Sequence, residues 1–177
     1  AVGAPPDPFS PTGQNWDLPP LNPMMLKHTG YEKFVRLLRE NMRLYGILRI
    51  DHVMALCRLW WVAGETADFG AYVHYDADVM FAILALESRR NQCVVIGEDL
   101  GTVPDQARYL LNRYQVFSYK VVYFSKGWHG FELPEEYPEQ AITVVSTHDV
   151  APLAGYWTGK DLDLMFRLGT IPDAETF

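Results

Sequence analysis

Three acidic side chains stand at matching places in the sequence. Asp51 closes the apolar run GILRID, Glu98 follows CVVIG, and Asp149 comes shortly after AITVVS. Paired carboxyl groups are what glycoside cleavage requires. One, ionised, attacks or stabilises the anomeric carbon, and the other, protonated, donates to the leaving oxygen. Environment must drive their proton affinities apart, and an arginine beside one of them favours its charged form. Arg49 meets that need: residues i and i+2 of a strand point the same way, so Arg49 and Asp51 share a face. The plainer alternative is that these acids cap helices or lie in exposed loops, and Asp99 beside Glu98 leaves open which of the two faces a cleft.

The elements that must position these acids can be read from periodicity. Phe34, Leu37, Leu38, Asn41 and Tyr45 recur at helical spacing, interleaved with Arg36, Arg39, Glu40 and Arg43, and Gly46 stops the pattern. Residues 77–91 read as a second helix with basic residues in its last turn, which suits the helix dipole. Pro104 opens a third, PDQARYLLNRY. Short continuous apolar runs at 46–51, 93–97, 119–124 and 141–146 read as strands. Helices alternating with such strands predict a parallel α/β sheet covered on both faces. A doubly wound sheet would carry a glycine-rich phosphate turn, and no GxGxxG or GxxxxGK[ST] occurs. In a (β/α)8 TIM barrel all strand ends open onto one face, which suits three acids at strand ends. A whole barrel takes about 250 residues, so the 177 residues are expected to be part of one, with about four strands and their helices.

Seven of the twelve prolines fall within the first 23 residues. The reading for 1–30 is therefore a long ordered loop without regular structure, kept from disorder by Phe9, Trp16 and Tyr31. The first residue is Ala, and the chain is expected to be a piece of something larger. Fifteen Lys and Arg against 22 Asp and Glu give a net charge of −7, which argues against nucleic acid or an anionic membrane as partner. No run reaches the roughly 18 apolar residues of a membrane span. Cys57 and Cys93 show no metal or redox spacing and read as buried thiols of a cytoplasmic protein.

The segments GILRIDHVMALCRLWW, VVIGEDLGTVP and VVSTHD resemble those of amylomaltases, the 4-α-glucanotransferases of glycoside hydrolase family 77 in the α-amylase clan of retaining (β/α)8 enzymes. GAPPDPFSPTGQNWDLPPLNP looks like that family's loop over the active site, and GETADFGAYVHY and SYKVVYF add to a match running from about Val2 to Trp157. The resemblance implies Asp51 as nucleophile, Glu98 rather than Asp99 as general acid and then base, and Asp149 as a third carboxylate holding sugar hydroxyls. It further implies Arg49 beside Asp51 and His148 on the same sugar. Trp16 is a candidate for stacking on a sugar face, and Lys120 for the barrel mouth. For Trp60 and Trp61, packing behind the barrel is the expected role, and His74 carries a similar ambiguity. No cofactor or metal is implied, and malto-oligosaccharides and other α-1,4-glucans are the implied partners.

The match departs from the family in two places. An upstream aspartate motif of the clan is missing, and Val150-Ala151-Pro152 follows Asp149 where a threonine is usual. A clan hydrolase or debranching-type glucosidase, a catalytically silent carbohydrate-binding module, and a purely structural segment are the rival readings. The isolated chain is expected to be inactive and to self-associate through uncovered strand edges or to need the rest of the polymer.

Overall fold

Proline-rich sequence does not prevent the opening segment from forming β structure. In the computed structural model, which describes residues 1–7, 10–169 and 171, strand β1 (Val2–Ala4) pairs antiparallel with β2 (Gln14–Leu18). The prolines lie outside both strands, where no ladder hydrogen bond is lost. Gly3 lets β1 approach so closely that any side chain there would collide with the Gln14 carbonyl. The expectation of a structureless 1–30 is thus corrected. Pro8 and Phe9 lie outside the described residues. Asn22 then caps helix α1 (Pro23–His28) through hydrogen bonds from the Met24 and Met25 amides, with Pro23 at its first position.

Helix α2 (Glu32–Met42) turns Phe34, Leu38 and Met42 inward, a four-residue repeat, whereas Leu37 is exposed and Tyr45 lies beyond the helix end. The buried stripe is therefore narrower than the sequence pattern suggested. After α2 come β3 (Ile47–Ile50), a 3-10 turn at Val53–Leu56, and an antiparallel pair, β4 (Arg58–Val62) and β5 (Gly70–His74). This pair joins the opening strands in one sheet of order β2-β1-β4-β5. Trp60 and Trp61 belong to that sheet, on β4. The Trp60 indole N–H donates to the Ala67 carbonyl, and its ring meets Tyr72 edge-on at 5.2 Å.

Helix α3 (Ala77–Asn91) spans the expected residues, with Asp76 as its N-cap and Gln92 in the left-handed conformation at its end. It leads to β6 (Val94–Gly97), which pairs in parallel with β3 in the register Arg49 with Ile96 and Ile50 with Gly97. Helix α4 (Asp105–Arg113) follows Pro104. The chain then returns beside β6, where Phe117 bridges Ile96 in parallel. Phe81, Leu84 and Val53 are fully shielded in the core between these helices and strands. Glu87 is buried among them on α3, and Arg39 grips it at 2.7 and 2.9 Å while Arg90 reaches it at 2.9 Å. Those bonds hold the Glu87 carboxyl below its usual value despite burial.

Two compact units divide the chain, the first ending at Ser118. Strand β7 (Ser118–Val121) begins at that boundary and runs into the second, where β10 (Ala141–Val144) pairs with it. Between them lie a 3-10 turn at Val122–Phe124 and a small hairpin of β8 (Lys126–Gly127) and β9 (Gly130–Phe131). Both strands are shorter than the apolar runs implied, because the chain turns away at Val122 and again after Val144. Helices α5 (Leu153–Trp157) and α6 (Lys160–Arg167) follow. No helix among the described residues is long and apolar enough to cross a membrane.

Candidate active site

The register of β3 and β6 decides the geometry of the first two acids. Ile50 and Gly97 are partners across the ladder, so the residues that follow them, Asp51 and Glu98, leave adjacent parallel strands at the same level. Glycine is needed at 97, since a Cβ there would stand 2.9 Å from Val53 and 3.0 Å from Leu111. The Glu98 amide donates to the Ile50 carbonyl at 2.8 Å, and the Val53 amide to the Glu98 carbonyl at 2.9 Å. The side chain is held as firmly as its backbone. Its two carboxyl oxygens accept the His52 amide at 2.8 Å and the Leu100 amide at 2.6 Å, and the residue is only 8% exposed.

Asp51 is the opposite case, with its side chain 74% exposed. The Arg49 guanidinium reaches it at 2.7 Å, the same-face contact that i, i+2 spacing implies. Between the two acids lies His52, a residue the sequence reading left out. Its backbone is left-handed (φ 48°), an uncommon conformation for a side chain of this size, and it turns the chain sharply from β3 into the 3-10 turn. Trp16 of β2 meets the His52 ring edge-on at 5.3 Å, and the Trp16 indole N–H donates to Gln14 at 2.9 Å. Burial pushes the His52 imidazole below the usual histidine value, against the opposing pull of Glu98 and Asp51. The signal for it was present, since RIDH puts a histidine directly after the acid, but nothing in the letters shows its amide reaching Glu98.

Asp149 lies in the second unit, with Thr147 and His148. Its amide donates to the Thr147 hydroxyl at 3.1 Å, and its carboxylate stands 3.3 Å from the His148 imidazole. Both side chains are about three-quarters exposed, at 73% and 75%. Lys120 of β7 is already engaged, 2.6 Å from Glu132 and above the Tyr137 ring. His74 ends β5 in an exposed position. Both thiols are buried, and burial pushes Cys57 up to about 11, where it stays protonated at neutral pH. Among the described residues no group of three or more His, Cys, Asp or Glu side chains gathers to hold a metal ion.

The parallel β3–β6 pair, with a helix between its strands and an acid just past the carboxyl end of each, defines the class, a mixed α/β protein. The chain belongs to glycoside hydrolase family 77, described as 4-alpha-glucanotransferase, whose model matches residues 1–172. A 4-alpha-glucanotransferase of Haemophilus influenzae is 52% identical over 172 residues, covering 97% of this chain and 25% of that protein. One from Mycobacterium tuberculosis is 42% identical over 177 residues, covering 96% and 24%. The chain thus spans about a quarter of the length of the curated relatives it matches. Amylomaltase from Corynebacterium glutamicum superposes with a TM-score of 0.89 at 37% identity, over 97% of this chain and 25% of that one. The amylomaltase of Streptococcus agalactiae in complex with acarbose shares the fold, with a TM-score of 0.78 at 23% identity over 97% of this chain and 36% of that one.

Proposed function

We propose that this chain supplies the reacting carboxyl groups of a retaining 4-α-glucanotransferase and forms part of a (β/α)8 barrel, with residues 1–30 overhanging its active site. The level placement of Asp51 and Glu98 on adjacent parallel strands carries this reading. Family membership supplies the substrate class, malto-oligosaccharides and other α-1,4-glucans. A carboxylate oxygen of Asp51 attacks the anomeric carbon of the donor, and the glycosidic C–O bond breaks. Glu98 gives its proton to the departing 4-oxygen. An acceptor 4-hydroxyl then attacks the anomeric carbon, Glu98 takes its proton, the Asp51 ester bond breaks, and two inversions restore the α configuration. To act as the acid, Glu98 must carry a proton on one oxygen and give up one of its two backbone N–H bonds. Its side chain therefore turns between a held and a reacting position in this reading.

Asp149 would bind hydroxyls of the distorted sugar with His148, while Arg49 orients Asp51 and Trp16 offers an aromatic edge beside the same turn. Lys120, bound to Glu132, would act from the second unit by shaping its surface. The two buried thiols suit a cytoplasmic setting, and exposed Trp157, Phe166 and Leu168 suit self-association of the isolated chain.

The test replaces the matching quarter of the Haemophilus relative with these 177 residues and follows maltotriose. The isolated chain is expected to give no product, and the chimera glucose plus longer chains. Asp51→Asn in the chimera should lower kcat by about 10⁴-fold at unchanged fold. Release of reducing ends without longer chains would favour a hydrolase, and full activity of Asp51→Asn would defeat the proposal.

A further inference from the structure

The most exposed large hydrophobic side chain among the described residues is Trp128, at 100%. It occupies the two-residue turn of the β8–β9 hairpin, whose flanks pair Lys126 with Phe131 and Gly127 with Gly130. Gly130 has φ 107°, a value that glycine adopts freely and that closes the turn. An indole removes about 150–250 Å² from water when it packs, and here it packs against nothing.

The hairpin beneath it is pinned. Ser125 is buried, its hydroxyl donates to the Val121 carbonyl at 2.9 Å, and its carbonyl accepts the Glu132 amide at 2.8 Å. Glu132 in turn holds Lys120 of β7 at 2.6 Å. On such a base only the torsions of the ring itself remain to be ordered when a ligand meets it, which limits the cost of binding by a small contact.

Its place in the unit is also informative. The Tyr123 amide donates to the Val145 carbonyl at 3.4 Å, and both residues lie just past the ends of β7 and β10. The chain leaving β7 toward Trp128 therefore runs beside the chain leaving β10 toward Asp149. Hairpin and acid emerge from the same end of one strand pair.

We propose that Trp128 is a stacking platform for a glucosyl ring of an α-1,4-glucan, a binding residue additional to the acids; this rests on the glucanotransferase reading. A pyranose offers a flat face of C–H groups that matches an indole, and a neutral ligand suits a chain of net charge −7. A protein partner fits less well. A stable interface covers about 800 Å² on each side, and the tip is only Trp128 and His129 between two glycines.

Two readouts test it. In the isolated chain, the indole N–H resonance that vanishes in Trp128→Phe should shift saturably as maltoheptaose is added, while the other indole signals move less. In the chimera, Trp128→Ala should raise KM for maltoheptaose about tenfold with kcat within about twofold, and Trp128→Tyr should restore most of the loss. A stationary indole signal overturns the inference and leaves turnover by Asp51 and Glu98 untouched. So does a Trp128→Ala variant that loses stability at unchanged KM, which would mean the ring packs on protein. A shifting indole signal together with full activity of Asp51→Asn would uphold the platform and defeat the catalytic reading.

Discussion

Glu98 and Asp149 both follow a strand, yet they are held in opposite ways. Glu98 is nearly buried, with two amides on its carboxyl oxygens and the neighbouring strand tip locked to its backbone. Asp149 is largely exposed, with a threonine hydroxyl on its amide and a histidine alongside. The first acid is positioned by the fold of its own unit, including Gly97, which only works as glycine. The second is placed by a three-residue turn. Acids that share a motif family can therefore differ in how far local structure alone prepares them.

Removing each acid should expose this contrast most strongly. Glu98→Ala leaves the His52 and Leu100 amides without their acceptor and should cost about 2–4 kcal/mol. Asp149→Ala should fall within about 0.5 kcal/mol of the parent. Urea unfolding followed by circular dichroism measures both. Equal losses would mean that the second turn is held as tightly as the first.

A smaller effect concerns pH. The folded-state value of His52 lies below its unfolded value near 6.5, so between the two the unfolded chain binds more protons and stability rises with pH. Its contribution is fully present above about pH 6.5 and is lost as the pH falls through the lowered value. Glu87, held below its usual value, keeps its arginine bonds through most of that window. Between about pH 7.5 and 5.5 the urea midpoint should fall for the parent and fall less for His52→Gln. Identical slopes would show that the strand tip around Glu98 and Asp51 carries no such linkage.

Helices α2, α3 and α4 and the β3–β6 pair were legible because their signals are local, whereas the short α1, α5 and α6 were not read from the sequence. Helix α3 has a capping aspartate, an apolar stripe and basic residues in its last turn, and β6 is a short apolar run ended by glycine and acid. The Arg49–Asp51 contact followed from strand alternation alone. The antiparallel sheet was not legible. Its β1 is three residues long and β2 is mostly exposed, so neither shows periodicity; β1 depends on a partner at 58–62 that is remote in sequence, and β2 joins the sheet only through β1. For the same reason Trp16 could be named as a candidate but not placed against His52. The narrowing of the α2 stripe to Phe34, Leu38 and Met42 likewise depends on what packs there. So does the left-handed turn that aims the His52 amide at Glu98, since both are settled by contacts rather than by letters.

The central claim is that Asp51 and Glu98 work as one pair, and covalent trapping addresses it most directly. The chimera carrying Glu98→Gln is treated with a maltosyl fluoride, whose good leaving group needs no acid, and is digested for peptide mass spectrometry. The account predicts a maltosyl ester on the peptide containing Asp51, absent when Asp51→Asn is added. An adduct on another carboxylate, or one that persists without Asp51, would contradict it.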